Sequence, residues 1–467
     1  MLITSNHALL EKAHLDRVSL AWQRRALTVH SPGRSWASLL QADHQLLAGL
    51  GLLYDVQKQS SGLDEQRLPE VLLLGELWAL AVLAMRHKHT ATWHACVGLA
   101  QAIPRQRQAL LSAVHWSDPQ SIQWAQLNWP SHEGLEDQAH ERFGLRTVFG
   151  LCGAQQHEAV LQALLSSRLW KQINCDLGQA ESVLEAVLQL GTQVELPDLE
   201  NLASQVLLRA QQRQERFLKL MYMSAHVLML LKKNQRSSST YTDAKQHMQT
   251  VATQTKQPEL AWKASQVLVC AEPANFQKVL DIQAQTPELR AAYIQGLGWC
   301  GRIGAMPVLM AALNEPQWAK LATASIMLIT GSQPARDGWE GEAVRSPSPP
   351  DAEGVIRPPD ALLSYPQPDA LAFGRWWQAH RTKFSADKTW LEGKALTEQS
   401  TPSQKEGVFG QILNTGQLHA REVAAHKLQW LQSGTARLDT SWPGHAQQHW
   451  MQTHLHASTS HSQRRAS

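Results

Sequence analysis

The chain has 467 residues, enough for two or three domains or one long repeat array, and 43 per cent of them are hydrophobic. Its 43 Lys and Arg against 40 Asp and Glu leave a formal charge of +3, so no global field draws it to nucleic acid or to a membrane surface. Five cysteines stand far apart (Cys96, Cys152, Cys175, Cys270, Cys300) with no Cys-x-x-Cys pair, which argues against a disulfide framework and for a reducing, cytoplasmic compartment.

Residues 1–60 read as an N-terminal helical region, with one leucine-rich run from Leu9 to Leu20 and another from Leu39 to Leu50, broken at Ser31-Pro32-Gly33. No apolar core of signal-peptide length opens the chain. The longest apolar run, Val71 to Met85, contains Glu76 and is too short to cross a bilayer, so no membrane is expected as a partner. Residues 61–231 read as a first helical-repeat region, in which Pro104 opens a helix and Gly150-Leu151-Cys152-Gly153 heads a repeat over 139–166. Residues 232–257, rich in Ser, Thr and Gln, read as a polar loop.

Residues 258–334 form the second helical-repeat region and carry the clearest unit. Leu289, Tyr293 and Leu297, then Leu309, Ala312 and Leu313, recur at helical spacing; Gly301 suits the turn between the two helices, and Pro307 sits just inside the second. Gly298-Trp299-Cys300-Gly301 aligns without a gap on Gly150-Leu151-Cys152-Gly153. Cys270 and Thr330 stand 30 residues to either side of Cys300. That period, with two short helices per unit, belongs to stacked helical repeats, and it makes Cys152, Cys270 and Cys300 buried fillers at one repeat position. Residues 335–369, with Ser-Pro-Ser-Pro-Pro and Tyr-Pro-Gln-Pro-Asp, read as a Pro-rich crossing segment. A C-terminal helical region over 370–453 and a His- and Ser-rich disordered tail over 454–467 complete the chain. The expected fold is an all-α, HEAT-like helical-repeat solenoid with a Pro-rich crossing segment and a helical C-terminal cap.

Taken in order, three blocks resemble an uncharacterised family of proteobacterial HEAT-like repeat proteins whose genes often lie beside type VI secretion components. They are Leu39-Leu40-Gln41-Ala42-Asp43, the repeat pair 289–331 ending in Ile-Thr-Gly, and Gly374-Arg375-Trp376-Trp377 followed by Lys383-Phe384 and Trp390-Leu391-Glu392-Gly393. The resemblance spans nearly the whole chain, and the Trp-Trp block is its distinctive part. The acidic stretch expected after Ile-Thr-Gly is reduced here to Asp337, Glu340 and Glu342. The resemblance implies a partner among type VI effectors or spike components.

Catalytic, cofactor and metal readings find little support. His87, His89 and His94 flank Trp93 without a carboxylate beside them, and Arg86 and Lys88 would repel a cation. Gly296-Leu297-Gly298-Trp299-Cys300-Gly301 spells a dinucleotide fingerprint but follows a helix instead of a strand. Ser385-Ala386-Asp387-Lys388 matches Ser-x-x-Lys without that chemistry's other motifs. No catalytic residue, cofactor or metal is therefore assigned, and no enzyme activity is expected.

The expectation is a protein-binding scaffold, acting on a type VI effector or spike component as adaptor, chaperone or immunity protein. Its partner-binding candidates are Trp376, Trp377, Phe384 and Trp390, since partly exposed Trp favours binding surfaces, together with Arg209, Arg213 and Arg216, which fall at i, i+4, i+7 of one helix face. The alternative is a nucleic-acid-binding or DNA-processing repeat protein, which would need a continuous basic face with aromatic help. An enzyme acting on a protein or pigment through such repeats is a weaker third.

Overall fold

The computed structural model describes residues 2–29, 34–59, 73–130, 197–212, 218–342, 365–397, 399–432 and 438–465, with 184, 187 and 188 besides. The expected repeat at 139–166, with Cys152, and also Cys175 lie outside these. The fold is all-α and built from helical repeats, and among the described residues no helix is long and apolar enough to cross a membrane. The chain divides into two compact units. One comprises residues 1–26, 37–206 and 441–449; the other comprises 27–36, 207–440 and 450–467.

The first unit is built on α3 (Leu74–His87), in which every residue from Gly75 to Met85 is buried. Helices that are apolar all round belong in a core, and α3 is covered by α4 (Thr90–Ala102), α5 (Pro104–Val114) and α6 (Pro119–Leu127). Gly75 lies so close to Ser19 of α1 (Leu2–Val29) that an added Cβ would meet the Ser19 backbone at 2.7 Å. Tryptophans fill the seams: Trp78 stacks on Trp22 and meets Trp116 edge-on at 5.4 Å, and the Trp93 indole donates to the Ala125 carbonyl. The buried Arg25 pairs with Asp43 of α2 (Trp36–Gln59), covers the Trp116 ring, and donates to the carbonyls of Ser441 and Trp442. Asp43 also accepts from the Gly444 amide, so two desolvated charges are satisfied by each other and by backbone.

The second unit carries the repeats. After α7 (Pro197–Gln212) come α8 (Leu218–Leu231), α9 (Ser239–Gln254), α10 (Pro258–Ala271), α11 (Phe276–Ala284), α12 (Arg290–Cys300), α13 (Met306–Ala312) and α14 (Ala319–Thr330). Helices α10, α12 and α14 pack side by side as one layer, while α11 and α13 back them as the other. Expectation and structure differ at 232–257. A polar loop was expected, but α9 forms there because Tyr241, Ala244, Met248, Val251 and Ala252 bury one stripe at helical spacing, and the Ser238 hydroxyl caps its start by accepting from the Tyr241 amide. Cys300 is buried as its register implies, whereas Cys270 is only half-buried.

Two further differences concern the C-terminal part. The tail expected to be disordered continues the helix α19 (Gly444–Arg465), since no Gly or Pro interrupts it after Gly444 and Trp450 and Met451 are buried. The C-terminal region also lies on the α10/α12/α14 layer: α18 (Leu418–Leu431), which follows α17 (Pro402–Thr415), packs on α10. A two-stranded antiparallel hairpin, β1 (Thr389–Leu391) and β2 (Lys394–Leu396), packs on α14.

That hairpin is fitted to the repeat glycines. Gly301 and Gly331, 30 residues apart, end α12 and α14 in the left-handed conformation, at φ 72° and 69°. The Trp390 amide donates to the Gly301 carbonyl at 2.8 Å. The amides of Glu392 and Gly393 donate to Leu328 and Ile329, two of the carbonyls α14 leaves open at its end. A Cβ on Gly301 would strike the Trp390 backbone, and one on Gly331 would meet the Glu392 carbonyl at 2.7 Å. Gly301→Ala is therefore expected to cost about 2 kcal/mol or more, the ordinary penalty of the left-handed region plus hairpin displacement. Gly304→Ala, with nothing within 4 Å, should be nearly neutral. Paired urea denaturation curves check both.

Candidate partner-binding surface

After α14 and the short helix α15 (Pro334–Asp337), residues 339–341 pair with 367–369. The Gly341 amide donates to Gln367 and the Asp369 amide to Trp339. This brings Asp369 to the start of α16 (Ala370–His380), where its carboxylate caps the helix by accepting from the Ala372 amide at 2.9 Å. Helix α16 then presents three kinds of side chain. Phe373 is fully buried and meets the fully buried Trp339 edge-on at 4.9 Å. Trp376, Trp377 and His380 are half-buried; Leu371, Arg375, Gln378 and Ala379 are exposed.

Adjacent residues of a helix point about 100° apart, which implies one Trp at the core and its neighbour at the margin. Instead Phe373 takes the centre, and Trp376 and Trp377 stand at its two margins. Trp376 lies between Phe373, one turn before it and stacked at 5.7 Å, and His380, one turn after it and stacked at 4.5 Å. His380 is held in place by an imidazole N–H donated to the Trp376 carbonyl at 2.8 Å. On the other margin Trp377 packs on Phe384 at 5.5 Å, and Phe384 meets Trp390 edge-on at 4.9 Å. Trp376 is thus stacked on by two rings, whereas Trp377 has one tilted ring contact.

Among the predicted site residues, the structure joins Trp377, Phe384 and Trp390 in one aromatic group and places Trp376 in a second, with Phe373 and His380, on the other margin of α16. They do not share one role. Trp390 is buried in β1 and its indole donates to the Ser385 carbonyl at 3.1 Å, so it anchors the hairpin; Trp376, Trp377 and Phe384 remain partly open. Arg209 is exposed on the last turn of α7, and Arg213 and Arg216 lie outside the described residues. The three histidines near Trp93 serve separate local ends: His87 stacks on Tyr54, His89 caps α4 by accepting from the Thr92 amide, and the His94 ring hydrogen-bonds the Asn128 carbonyl.

Sequence reasoning missed two features. The hairpin turns on Glu392-Gly393, both at positive φ (53° and 71°), the two-residue loop usually signalled by Asn-Gly or Asp-Gly. The signal that could have found it is Gly393 between two short runs containing Trp390, Leu391 and Leu396. The other is the charge around α16. Residues 370–390 hold Arg375, Arg381, Lys383 and Lys388 against Asp387 alone, which leaves 39 basic and 39 acidic side chains in the rest of the chain.

Behind the hairpin, α18 is buried almost all round despite its polar sequence. Arg421 is fully buried with its guanidinium 3.8 Å from the Trp36 ring centre, and burial pulls its pKa down to about 9. Lys427 donates to the Trp299 carbonyl at 3.0 Å, and burial lowers its pKa too. The Glu392 carboxylate at the hairpin tip accepts from the Gln417 amide at the start of α18, at 2.7 Å; burial raises its pKa. His419 is buried with no hydrogen bond to either ring nitrogen, and burial lowers its pKa to about 4.

No family model, curated protein or solved structure matches the chain.

Two predictions follow from this geometry. Trp390→Ala should lower stability by about 3–5 kcal/mol, as for a buried Trp, and Trp377→Ala by less, in thermal or urea melts. His419 has a folded pKa below its unfolded 6.5, so the unfolded chain takes up the proton first as pH falls. Its contribution, on the order of 3 kcal/mol, is whole above about pH 6.5 and lost progressively towards pH 4. Urea curves at stepped pH should show that loss in the wild type, and His419→Leu should flatten it.

Proposed function

We propose that the protein is a non-enzymatic, protein-binding helical-repeat scaffold whose α16 face receives the partner. The observation that carries this reading is the pair of half-open aromatic margins on α16: Trp376, backed by Phe373 and Trp339, and Trp377 with Phe384, backed by Trp390. Rigid, partly desolvated Trp at the edge of a packed base is the chemistry of a binding hot spot. An unneeded aromatic margin would cost little to replace with polar residues, yet here three large rings reach the surface beside exposed Arg375 and Lys383.

The resemblance to the family encoded near type VI secretion genes supports a partner among that system's effectors or spike components, held as cargo by an adaptor or blocked by an immunity protein. Nucleic acid fits the α16 face less well. Base stacking needs an open ring face, and the Trp376 face is flanked on both sides by Phe373 and His380.

The test is direct binding by calorimetry between the purified chain and each type VI effector and spike protein encoded beside its gene. One of them should bind, and Trp377→Ala should weaken that binding about tenfold or more, near 1.4 kcal/mol, while the variant keeps its cooperative melt. The proposal fails if none binds, or if Trp376→Ala and Trp377→Ala both bind as the wild type does.

A further inference from the structure

We infer that residues 441–447 form a strap: a turn of backbone docked in a cleft of the first unit, which the chain releases as a piece and which the same turn supplied in trans can replace. The inference goes beyond the scaffold reading and does not depend on it.

The cleft is built around charge. Arg25 of α1 and Asp43 of α2 are both buried and face each other, Nε against Oδ1. That contact uses one donor of the guanidinium and one oxygen of the carboxylate. Nη1, Nη2 and Oδ2 are left over, a fixed pattern of two donor groups and one acceptor that a buried pair has to satisfy. Among the described residues it is the strap that satisfies all three. Nη1 donates to the Ser441 carbonyl at 2.8 Å, Nη2 donates to the Trp442 carbonyl at 2.7 Å, and Oδ2 accepts from the Gly444 amide. Two aromatic contacts flank the pair. Trp442 lies against His115 at 5.2 Å, and His445 meets Trp116 edge-on at 6.5 Å; the Trp116 ring centre is 5.0 Å from the Arg25 guanidinium.

What the cleft reads is a backbone turn, and Trp442-Pro443-Gly444 suits it. Pro443 is buried between the bonded groups and brings no N–H that would go unsatisfied there. Its ring also fixes φ, so the turn loses little entropy on docking. The buried Gln447 donates its side-chain amide to the Trp442 carbonyl at 2.7 Å and steadies the turn. The strap is a short return, since residues 441–449 alone bring the chain back to the first unit after residue 206. Its grip is largely polar: Ser441 and His445 are exposed and Trp442 is half-buried, whereas α3 of the same unit buries every residue from Gly75 to Met85. Segments with few buried apolar contacts open at lower free energy than the core. Once the strap lifts, water takes over its three bonds to Arg25 and Asp43, so release strands no buried charge.

The experiment uses the full chain under native conditions, with two readouts. One is hydrogen exchange at the Gly444 amide, bonded to Asp43, and at the Gln447 amide, bonded to the Pro443 carbonyl at 3.0 Å. The other is fluorescence anisotropy of a labelled synthetic peptide with the sequence of residues 440–449. In the wild type both amides should exchange about tenfold or more faster than the core amides of α3. Gly444→Pro removes the donor to Asp43 at the first position of α19, where proline is tolerated. It should speed exchange at Gln447 about tenfold further and leave α3 unchanged. The peptide should bind this variant about tenfold more tightly than the wild type, whose own strap competes from the same chain. A peptide carrying the same Gly444→Pro change should bind the variant about tenfold more weakly. The inference is overturned if strap and α3 amides exchange together in the wild type, because the segment is then a fixed part of the unit. It is overturned equally if the peptide does not bind the Gly444→Pro chain, or if the Gly and Pro peptides bind it alike.

Discussion

The hydrogen bonds that the hairpin tip makes to the ends of neighbouring helices organise the second unit. An α-helix ends with carbonyls that have no partner within it, and in a stacked array those ends line up in rows. Glu392 and Gly393 give their amides to the carbonyls of Leu328 and Ile329, while Trp390 gives its amide to Gly301. The Glu392 side chain accepts from the amide of Gln417, the residue that caps the start of α18. One turn of chain thus satisfies donors and acceptors on three helices. It can do so only because Gly301, Gly331 and Gly393 leave room where the backbones meet.

Once the tip is seated, α18 is committed to the layer of α10, α12 and α14, and its polar side chains follow it inside. Removing charge from water is costly unless each group finds a partner. Lys427 finds the Trp299 carbonyl and Arg421 finds the Trp36 ring; from outside the helix, Lys233 donates to the carbonyls of Gln429 and Gln432 at its C-terminus, where a cation is favoured. His419 has no such partner and stays neutral. The layer that a repeat array could have offered to another molecule is in this way occupied by the chain's own helix. The proposed binding surface is on α16 instead.

The two aromatic groups beside α16 join the scaffold to its proposed task. Trp339 and Phe373 are interior, Trp390 belongs to the hairpin, and Trp376, Trp377 and Phe384 carry the packing outward to the rim. The same contacts that hold α16 in place also fix the orientation of the exposed edges. A partner would therefore meet rings whose rotamers are already set, with little entropy left to lose on binding.

Much of this was written locally in the sequence. The 30-residue period, the glycine after α12 and the proline inside α13 announce helix pairs that must stack, because each depends only on neighbours within a few turns. Other features depended on contacts between distant residues. A Ser- and Thr-rich stretch becomes α9 because five of its side chains find an apolar neighbour. Glu392 adopts positive φ, which its own chemistry disfavours, because its amide and carboxylate are claimed by residues 64 and 25 positions away. Which of four aromatics is buried is likewise not a property of the residue, since Trp377 and Trp390 are the same side chain. The sequence by itself determined that helices form and pair; only the tertiary structure decided which faces meet, because burial and the pairing of open backbone groups are settled between segments far apart in the chain.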